Sequence, residues 1–292
     1  MPAISVELVT RLIREQFPQW ADLPIRPVAQ SGHDNRTFYL GENMTVRLPS
    51  GAAYVPQIEK EAEWLPYLAR FLSLPISCPI VRGRAGGGYP FVWSINRFVE
   101  GETLCRQNTA DLERLAVDLA AFLRELQRID TRGAPAAGAH NFYRGAEPAV
   151  YSRQVESALR ELETDLPVDA LKQLWQRATA TRWTSAPVWL HGDVAPGNIL
   201  VRDGILCGVI DFGIMGVGDP ACDYAMAWTF FDRPSRVRFL EDLDPGTIDR
   251  ARGWALWKAL ITYRSSEPGA ADSARHTLDV ILEEYDRMMA GG

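Results

Sequence analysis

Residues 188–213 constrain this chain more than any other stretch. Three apolar runs, 188–190, 199–201 and 205–210, are too short for helices and are separated by polar turns, the pattern of short strands. The first turn reads His191-Gly192-Asp193-Val194-Ala195-Pro196-Gly197-Asn198, and the third run leads into Asp211-Phe212-Gly213. Pro196 and Gly197 suit a tight loop that turns Asp193 and Asn198 toward one point. Asp211 follows thirteen residues after Asn198, at the end of a returning hairpin. Taken singly, each aspartate is an ordinary turn residue. Two acids and an amide at neighbouring strand ends are a chemical constellation.

The first hundred residues read as a β-rich module. Ile4, Leu8, Leu12 and Ile13 recur at helical spacing with charges between them, so the chain opens with an amphipathic helix that Pro24 and Pro27 end. Strands are expected over 27–30, 37–40 and 45–48, separated by Gly32, Asp34, Asn35, Gly41 and Asn43. Residues 56–70 read as a helix with Ile58, Ala62, Leu65 and Leu68 on one face, and strands over 80–84 and 89–98 complete an antiparallel module. From Gly101 the pattern turns helical. Asn108 is the expected cap of a long helix that buries Leu112, Leu115, Leu119, Leu123 and Leu126. The Gly/Ala/Pro-rich stretch 131–148 reads as a loop or insertion, and helices resume over 150–164, 168–182, 247–263 and 270–289. The expected fold class is α+β and bilobal. A small N-terminal lobe with one inserted helix spans 1–98, a larger, mainly helical C-terminal lobe spans 99–292, and a hinge lies near 97–101.

Charge and composition narrow the partners. Net charge is −6, which argues against nucleic acid as a partner, since phosphate backbones select basic surfaces. Residues 1–98 carry +2 and residues 99–292 carry −8. An acidic second part suits a cationic small substrate, and it equally suits acidic helices that keep a protein soluble. Glu7, Arg11, Arg14 and Glu15 interrupt the opening stretch, so it cannot be the apolar core of a signal peptide. No later stretch approaches a membrane span, and the expected location is the cytoplasm with no membrane partner. Cys78, Cys105, Cys207 and Cys222 are scattered without a C-x-x-C pair, which argues against a zinc site or a disulfide framework.

With these residues in view, the chain resembles the aminoglycoside phosphotransferase family, within the wider protein-kinase-like fold. The loop H-G-D-x-x-x-x-N at 191–198 and I-D-F-G at 210–213 stand at that family's spacing, each after a strand-like run. The resemblance implies a small-molecule kinase that uses Mg2+ and ATP, with GTP not excluded as donor. It implies Asp193 as catalytic base, and Asn198 with Asp211 as magnesium ligands, hard oxygens suited to that ion. In the first lobe it implies nucleotide contacts. Ser31, Gly32 and Asn35 belong to a loop over the phosphates, although a single glycine also fits an ordinary hairpin turn. Arg47 stands where the family usually has lysine, and Glu61, rather than Glu59 or Glu63, is its acid. Arginine keeps the charge but is longer and planar; on residue type alone Arg47 also fits an exposed strand position. Backbone groups of Arg97 and Val99 are implied at the adenine edge. His191 and Asp223 are read as supports of the loop, and Asp219 before Pro220 as a helix cap. Ala195 departs from the histidine that many relatives carry there.

The implied partners are a nucleoside triphosphate and a hydroxylated small molecule, which for an aminoglycoside is a polycation. Glu241, Asp242, Asp244 and Glu267 are acids open to such a ligand, and each also fits a solvated loop acid. Trp228, Phe230, Phe231, Trp254 and Trp257 suit a cation-binding pocket or, at helical spacing, the core. The resemblance also covers kinases for macrolides, choline, homoserine and sugar derivatives, so a non-antibiotic metabolite is an alternative acceptor. A nucleotide-binding, pseudokinase-like module without turnover is a further reading, and Arg47 is the feature that favours it.

Overall fold

The computed structural model describes residues 3–28 and 34–290. The chain divides into two compact units, Met1–Glu102 with Cys207–Gly213, and Thr103–Leu206 with Ile214–Gly292. The first is built on an antiparallel sheet and the second is mainly helical, a mixed α+β architecture.

In the first unit, α1 (Val6–Gln16) is capped by Ser5, whose hydroxyl accepts the Leu8 N–H at 3.4 Å. Five strands follow in the spatial order β1-β2-β3-β5-β4: β1 (Ile25–Pro27), β2 (Asn35–Leu40), β3 (Met44–Pro49), β4 (Pro79–Gly83) and β5 (Trp93–Arg97). A helix, α2 (Val55–Leu68), is inserted after β3. The expected strand at 27–30 begins earlier, at Ile25, and Ala29 and Gln30 lie outside the described residues.

Register decides what each face of this sheet carries. Arg47 lies opposite Thr37 on β2 and Ser94 on β5, and Thr45 lies opposite Asn96. Strand side chains alternate between faces, so Phe38, Leu40, Val46, Leu48, Trp93 and Ile95 share one face, where they pack with Leu8, Val9, Leu12 and Ile13 of α1. Each fully buried Leu or Ile in such a cluster contributes roughly 1.5–3 kcal/mol. Asn35, Thr37, Thr45, Arg47, Ser94 and Asn96 share the other face, which is polar.

Residues 207–213 pack with this unit although they lie far along the sequence. Val209 donates its N–H to the Pro75 carbonyl at 3.3 Å and bridges Ile76 in parallel. A division at residue 98 did not include this segment, because backbone pairing over such a separation leaves no local sequence pattern.

The second unit is entered at β6 (Glu102–Thr103). It contains α3 (Leu112–Gln127), α4 (Ser152–Glu161), α5 (Val168–Ala180), β7 (Val188–Leu190) and β8 (Ile199–Arg202). The chain then returns to the first unit within β9 (Ile205–Val209), and re-enters the second with β10 (Gly216–Gly218), α6 (Met226–Thr229), α7 (Arg233–Leu240), α8 (Pro245–Thr262) and α9 (Ala270–Ala290). Asp111, not Asn108, caps α3, accepting the Arg114 N–H at 2.9 Å. Asn108 instead closes the preceding turn through the Cys105 N–H and the Thr103 carbonyl. Strand β10 pairs antiparallel with β7, Gly216 opposite Leu190, and so fixes the end of the strand from which the 191–198 loop departs. Helix α8 buries Arg250 and Arg252 because acids meet them, Asp219 at 2.7 Å and Glu284 at 2.8 Å. Trp228, Phe230, Phe231, Trp254 and Trp257 are all buried, so they belong to the core. No described helix is long and apolar enough to cross a membrane.

Candidate active site

Asp193 sits on a loop whose backbone is held from behind. The buried Asp223 carboxylate accepts two main-chain N–H groups, His191 on Oδ2 and Gly192 on Oδ1, both at 2.7 Å. Burial pushes the Asp223 carboxyl above its ordinary range, and the nearby His191 and the two N–H groups oppose that. Gly192 is left-handed, with φ +87°, and a Cβ there would stand 2.6 Å from the Ile214 carbonyl oxygen, so no other residue fits. The buried His191 ring accepts the Asp193 N–H through Nδ1 at 3.1 Å. The sequence-based reading of Asp223 and His191 as loop supports thus has a geometric basis in these bonds.

The side chains at the front of the loop are tied to each other. Asn198 Nδ2 donates to the Asp193 carbonyl at 2.9 Å and to its Oδ2 at 3.0 Å. The short helical turn Pro196–Asn198 sets that reach, closed by the Asn198 N–H on the Ala195 carbonyl. Both amide hydrogens of Asn198 are thereby spent, which leaves its neutral Oδ1 as a donor atom for a hard cation. The Asp193 side chain remains exposed and so within reach of an incoming molecule.

In the first unit, Arg47, Glu61 and Asp211 form one charged group. Arg47 Nη1 reaches both Glu61 oxygens at 2.8 Å, and Nη2 reaches Asp211 Oδ1 at 3.0 Å. Arg47 is therefore a buried residue, not an exposed strand position. Glu61 is fully buried while Glu59 and Glu63 are exposed, which singles out the acid expected from sequence. Burial alone would lower the guanidinium pKa, but Glu61 and Asp211 outweigh it and hold it above its usual value. Burial drives the Glu61 carboxyl up, with Arg47 opposing. On the same turn of helix, burial pulls Lys60 down to about 8. Asp211 adopts φ +65°, a strained conformation for a non-glycine residue, worth on the order of 1–3 kcal/mol and often found at functional sites. Its side chain is 46% exposed, and Arg47 takes only one of its two oxygens.

The polar sheet face around Arg47 has unmet hydrogen-bonding capacity. Asn35 Oδ1, Ser94 Oγ and Asn96 Oδ1 are buried without a partner among the described residues. Each such atom costs roughly 1–3 kcal/mol unless a bound molecule supplies its partner. Together with a fixed guanidinium, this face fits the phosphates and polar edges of a nucleotide. Asp211 offers a carboxylate oxygen and Asn198 an amide oxygen, each by itself a hard donor of the kind magnesium takes.

The remaining expected residues are placed as follows. Ser31 and Gly32 lie outside the described residues. Arg97 ends β5 with its N–H committed to the Cys78 carbonyl at 2.8 Å, while Val99 is buried just beyond the strand. Of the four acids open to a polycation, three have protein partners and Glu267 is exposed: Asp242 binds Arg124 at 2.6 Å, Glu241 binds Arg238 at 3.1 Å, and Asp244 caps α8 at the Thr247 N–H. Sequence reasoning missed Arg144, whose Nε donates to the Gly192 carbonyl at 3.0 Å. Arg144 lies within a stretch that reads as featureless loop, and no motif marks it.

Three comparisons relate the chain to known proteins. A model of the phosphotransferase enzyme family matches residues 25–260. An uncharacterized protein of Bacillus subtilis (strain 168), YcbJ, is 22% identical over 261 residues, covering 86% of this chain and 73% of that one. Among solved structures, the GDP complex of wild-type aminoglycoside 2'-phosphotransferase-IIIa superposes with a TM-score of 0.70 at 21% identity, over 96% of this chain and 98% of that one. Macrolide 2'-phosphotransferase MphH from Brachybacterium faecium gives a TM-score of 0.60 at 17% identity, over 93% and 97%. At these identities the likeness establishes a shared fold.

Proposed function

The chain belongs to the phosphotransferase enzyme family, and from that premise we propose that it is a small-molecule kinase, moving the γ-phosphoryl group of a nucleoside triphosphate onto an alcohol. The observation that carries this reading is the 191–198 loop: Asp223 holds the His191 and Gly192 amides, the His191 ring accepts the N–H of the exposed Asp193, and Asn198 meets the Asp193 carboxylate. Asp193 Oδ1 takes the proton of the acceptor hydroxyl while the hydroxyl oxygen bonds to phosphorus. The bond from phosphorus to the bridging oxygen breaks, and the nucleoside diphosphate leaves. Asn198 Oδ1 and Asp211 are the magnesium ligands in this reading. Magnesium, when bound, supplies positive charge against the phosphate oxygens. Arg47 offers a fixed cation to the phosphates, and Asn35 lies on the same polar sheet face. Arg97 and Val99 stand at the adenine edge in this reading, with the Arg97 amide already committed to Cys78. ATP is the proposed donor. GTP remains compatible, since one structural relative was solved with GDP.

A second reading, a nucleotide-binding module without turnover, is favoured by one contact. Arg47 occupies Asp211 Oδ1, an oxygen that a magnesium ligand would otherwise offer. Transfer of labelled γ-phosphate to a panel of hydroxylated acceptors, including aminoglycosides and macrolides, separates the two. Magnesium-dependent transfer is expected, with Asp193→Ala reducing it about 100- to 10,000-fold while nucleotide affinity stays near wild type. Asp211→Ala should weaken magnesium-nucleotide binding as well. Tight nucleotide binding with no transfer across the panel sinks the kinase reading, and an active Asp193→Ala variant sinks the base assignment.

A further inference from the structure

Arg144 is a rigid cation beside the catalytic loop with no carboxylate partner among the described residues. Its Nε donates to the Gly192 carbonyl at 3.0 Å, and its Nη1 lies 3.5 Å from the Phe142 carbonyl. Its guanidinium carbon lies 4.8 Å from the Trp254 ring centre and 5.0 Å from that of Trp257. Tyr151 stacks on Trp257 at 4.0 Å and donates its hydroxyl to the Phe142 carbonyl at 2.9 Å. The more buried arginines of the same unit are treated differently, since Arg236, Arg250 and Arg252 each face a carboxylate. Carbonyls and ring faces orient the Arg144 charge without neutralising it.

Its position gives that charge a consequence. Gly192 immediately precedes Asp193, so the guanidinium is held one residue from the proposed base. Just before Arg144, Phe142 and Tyr143 adopt φ +50° and +55° and are 50% and 44% exposed. Two successive left-handed non-glycine residues persist only where their surroundings fix them. Gly145 supplies part of that fixing, because a Cβ there would stand 2.7 Å from Leu190 on β7. Exposed aromatic surface and an uncompensated cation thus occupy one short segment against the loop. Three of the four acids that would welcome a polycation are engaged, Asp242 by Arg124, Glu241 by Arg238 and Asp244 by the α8 cap, while Glu267 is exposed.

We propose that Phe142, Tyr143 and Arg144 form the acceptor-recognition element, and that the acceptor is an alcohol with an apolar face and an acidic group rather than a polycation. The proposal rests on the kinase reading for the word acceptor, but its test reads binding and does not need turnover. Isothermal titration of the full chain with an aryl glucuronide, the matching neutral aryl glucoside and kanamycin presents an anion, a neutral molecule and a polycation. The glucuronide should bind about tenfold tighter than the glucoside, as one charge-assisted contact supplies, and kanamycin should bind weakest. Arg144→Gln should abolish the preference for the anion. Phe142→Asn and Tyr143→Asn keep a residue that tolerates the left-handed backbone; they should weaken both aryl probes and leave magnesium-nucleotide affinity unchanged. Kanamycin binding tightest, or an anion preference that survives Arg144→Gln, overturns the proposal, as does unchanged aryl-probe affinity in both asparagine variants. The expected binding order without phosphoryl transfer would leave this proposal standing and sink the kinase reading. Efficient transfer to kanamycin, unaltered by Arg144→Gln, would do the reverse.

Discussion

At the scale of single residues, the molecule places its charges by partner, and the partners determine what a substitution does. Arg47 is buried between Glu61 and Asp211, and removing its guanidinium takes from the buried Glu61 carboxylate the cation bonded to both its oxygens. Breaking such a pair from one side costs about 3–5 kcal/mol, more than the pair itself contributes. Arg47→Met should therefore lower the thermal midpoint on the order of 10 °C, and Arg47→Met with Glu61→Met should recover most of the loss. A single variant that melts with the wild type would show that the buried charge is tolerated. The same contrast explains which site residues were legible in the sequence. Asp193, Asn198 and Asp211 stand in two short runs at a recognisable spacing, and Glu61 could be picked out once Arg47 was given a role. Arg144 could not, because it acts through a backbone carbonyl 48 positions away and through two tryptophan rings that read equally well as core.

At the scale of elements, apolar periodicity located most of the structure, and buried polar stripes account for much of what it missed. Helix α2 was expected from Ile58, Leu65 and Leu68, but it also buries Gln57 and Glu61 one turn apart, and that second stripe holds the acid that meets Arg47. Helix α7 buries Ser235 and Arg236 beside Phe239 and Leu240, so it lacks the apolar stripe that would have revealed it. A polar stripe also carries a pH signature. Lys60, next to Glu61, titrates near 8 in the folded chain against an ordinary 10.5, because burial outweighs the attraction of Glu61. Below about 8 it is charged in both the folded and unfolded chains, and the folded one carries the part of the desolvation penalty that Glu61 does not offset. As pH rises from 8 toward 10.5 that penalty is relieved. Lys60→Met should accordingly stabilise the protein by roughly 1–3 kcal/mol at pH 7. Its advantage over wild type should shrink by pH 10, a difference that isolates Lys60 because the two chains share every other titratable group. A gap in midpoint that is constant from pH 7 to 10 would contradict the shifted lysine.

At the scale of the whole molecule, sequence order and spatial order part company at one segment. The chain passes between its two compact units after Glu102, after Leu206 and after Gly213, so the first unit is closed by seven residues that follow most of the second. Those residues bring Val209 to Pro75 and Ile76, and Asp211 to an arginine 164 positions earlier. Reading along the sequence places a boundary near residue 98, where the strands give way to helices, and nothing local announces that a later hairpin belongs with the strands. The consequence is testable with a fragment. Residues 1–102 keep all five strands of the first sheet together with α1 and α2, which by composition suffice for a small domain. They lack the backbone partner of Pro75 and one of the two carboxylates that hold the buried Arg47. Small domains have only about 5–15 kcal/mol to lose, and an exposed strand-pairing site invites association. The fragment should therefore show a broad or absent thermal transition by circular dichroism and should self-associate in sedimentation, whereas the full chain melts sharply. A monomeric fragment with a cooperative transition at the temperature of the full chain would mean that residues 207–213 dock on a unit already complete without them.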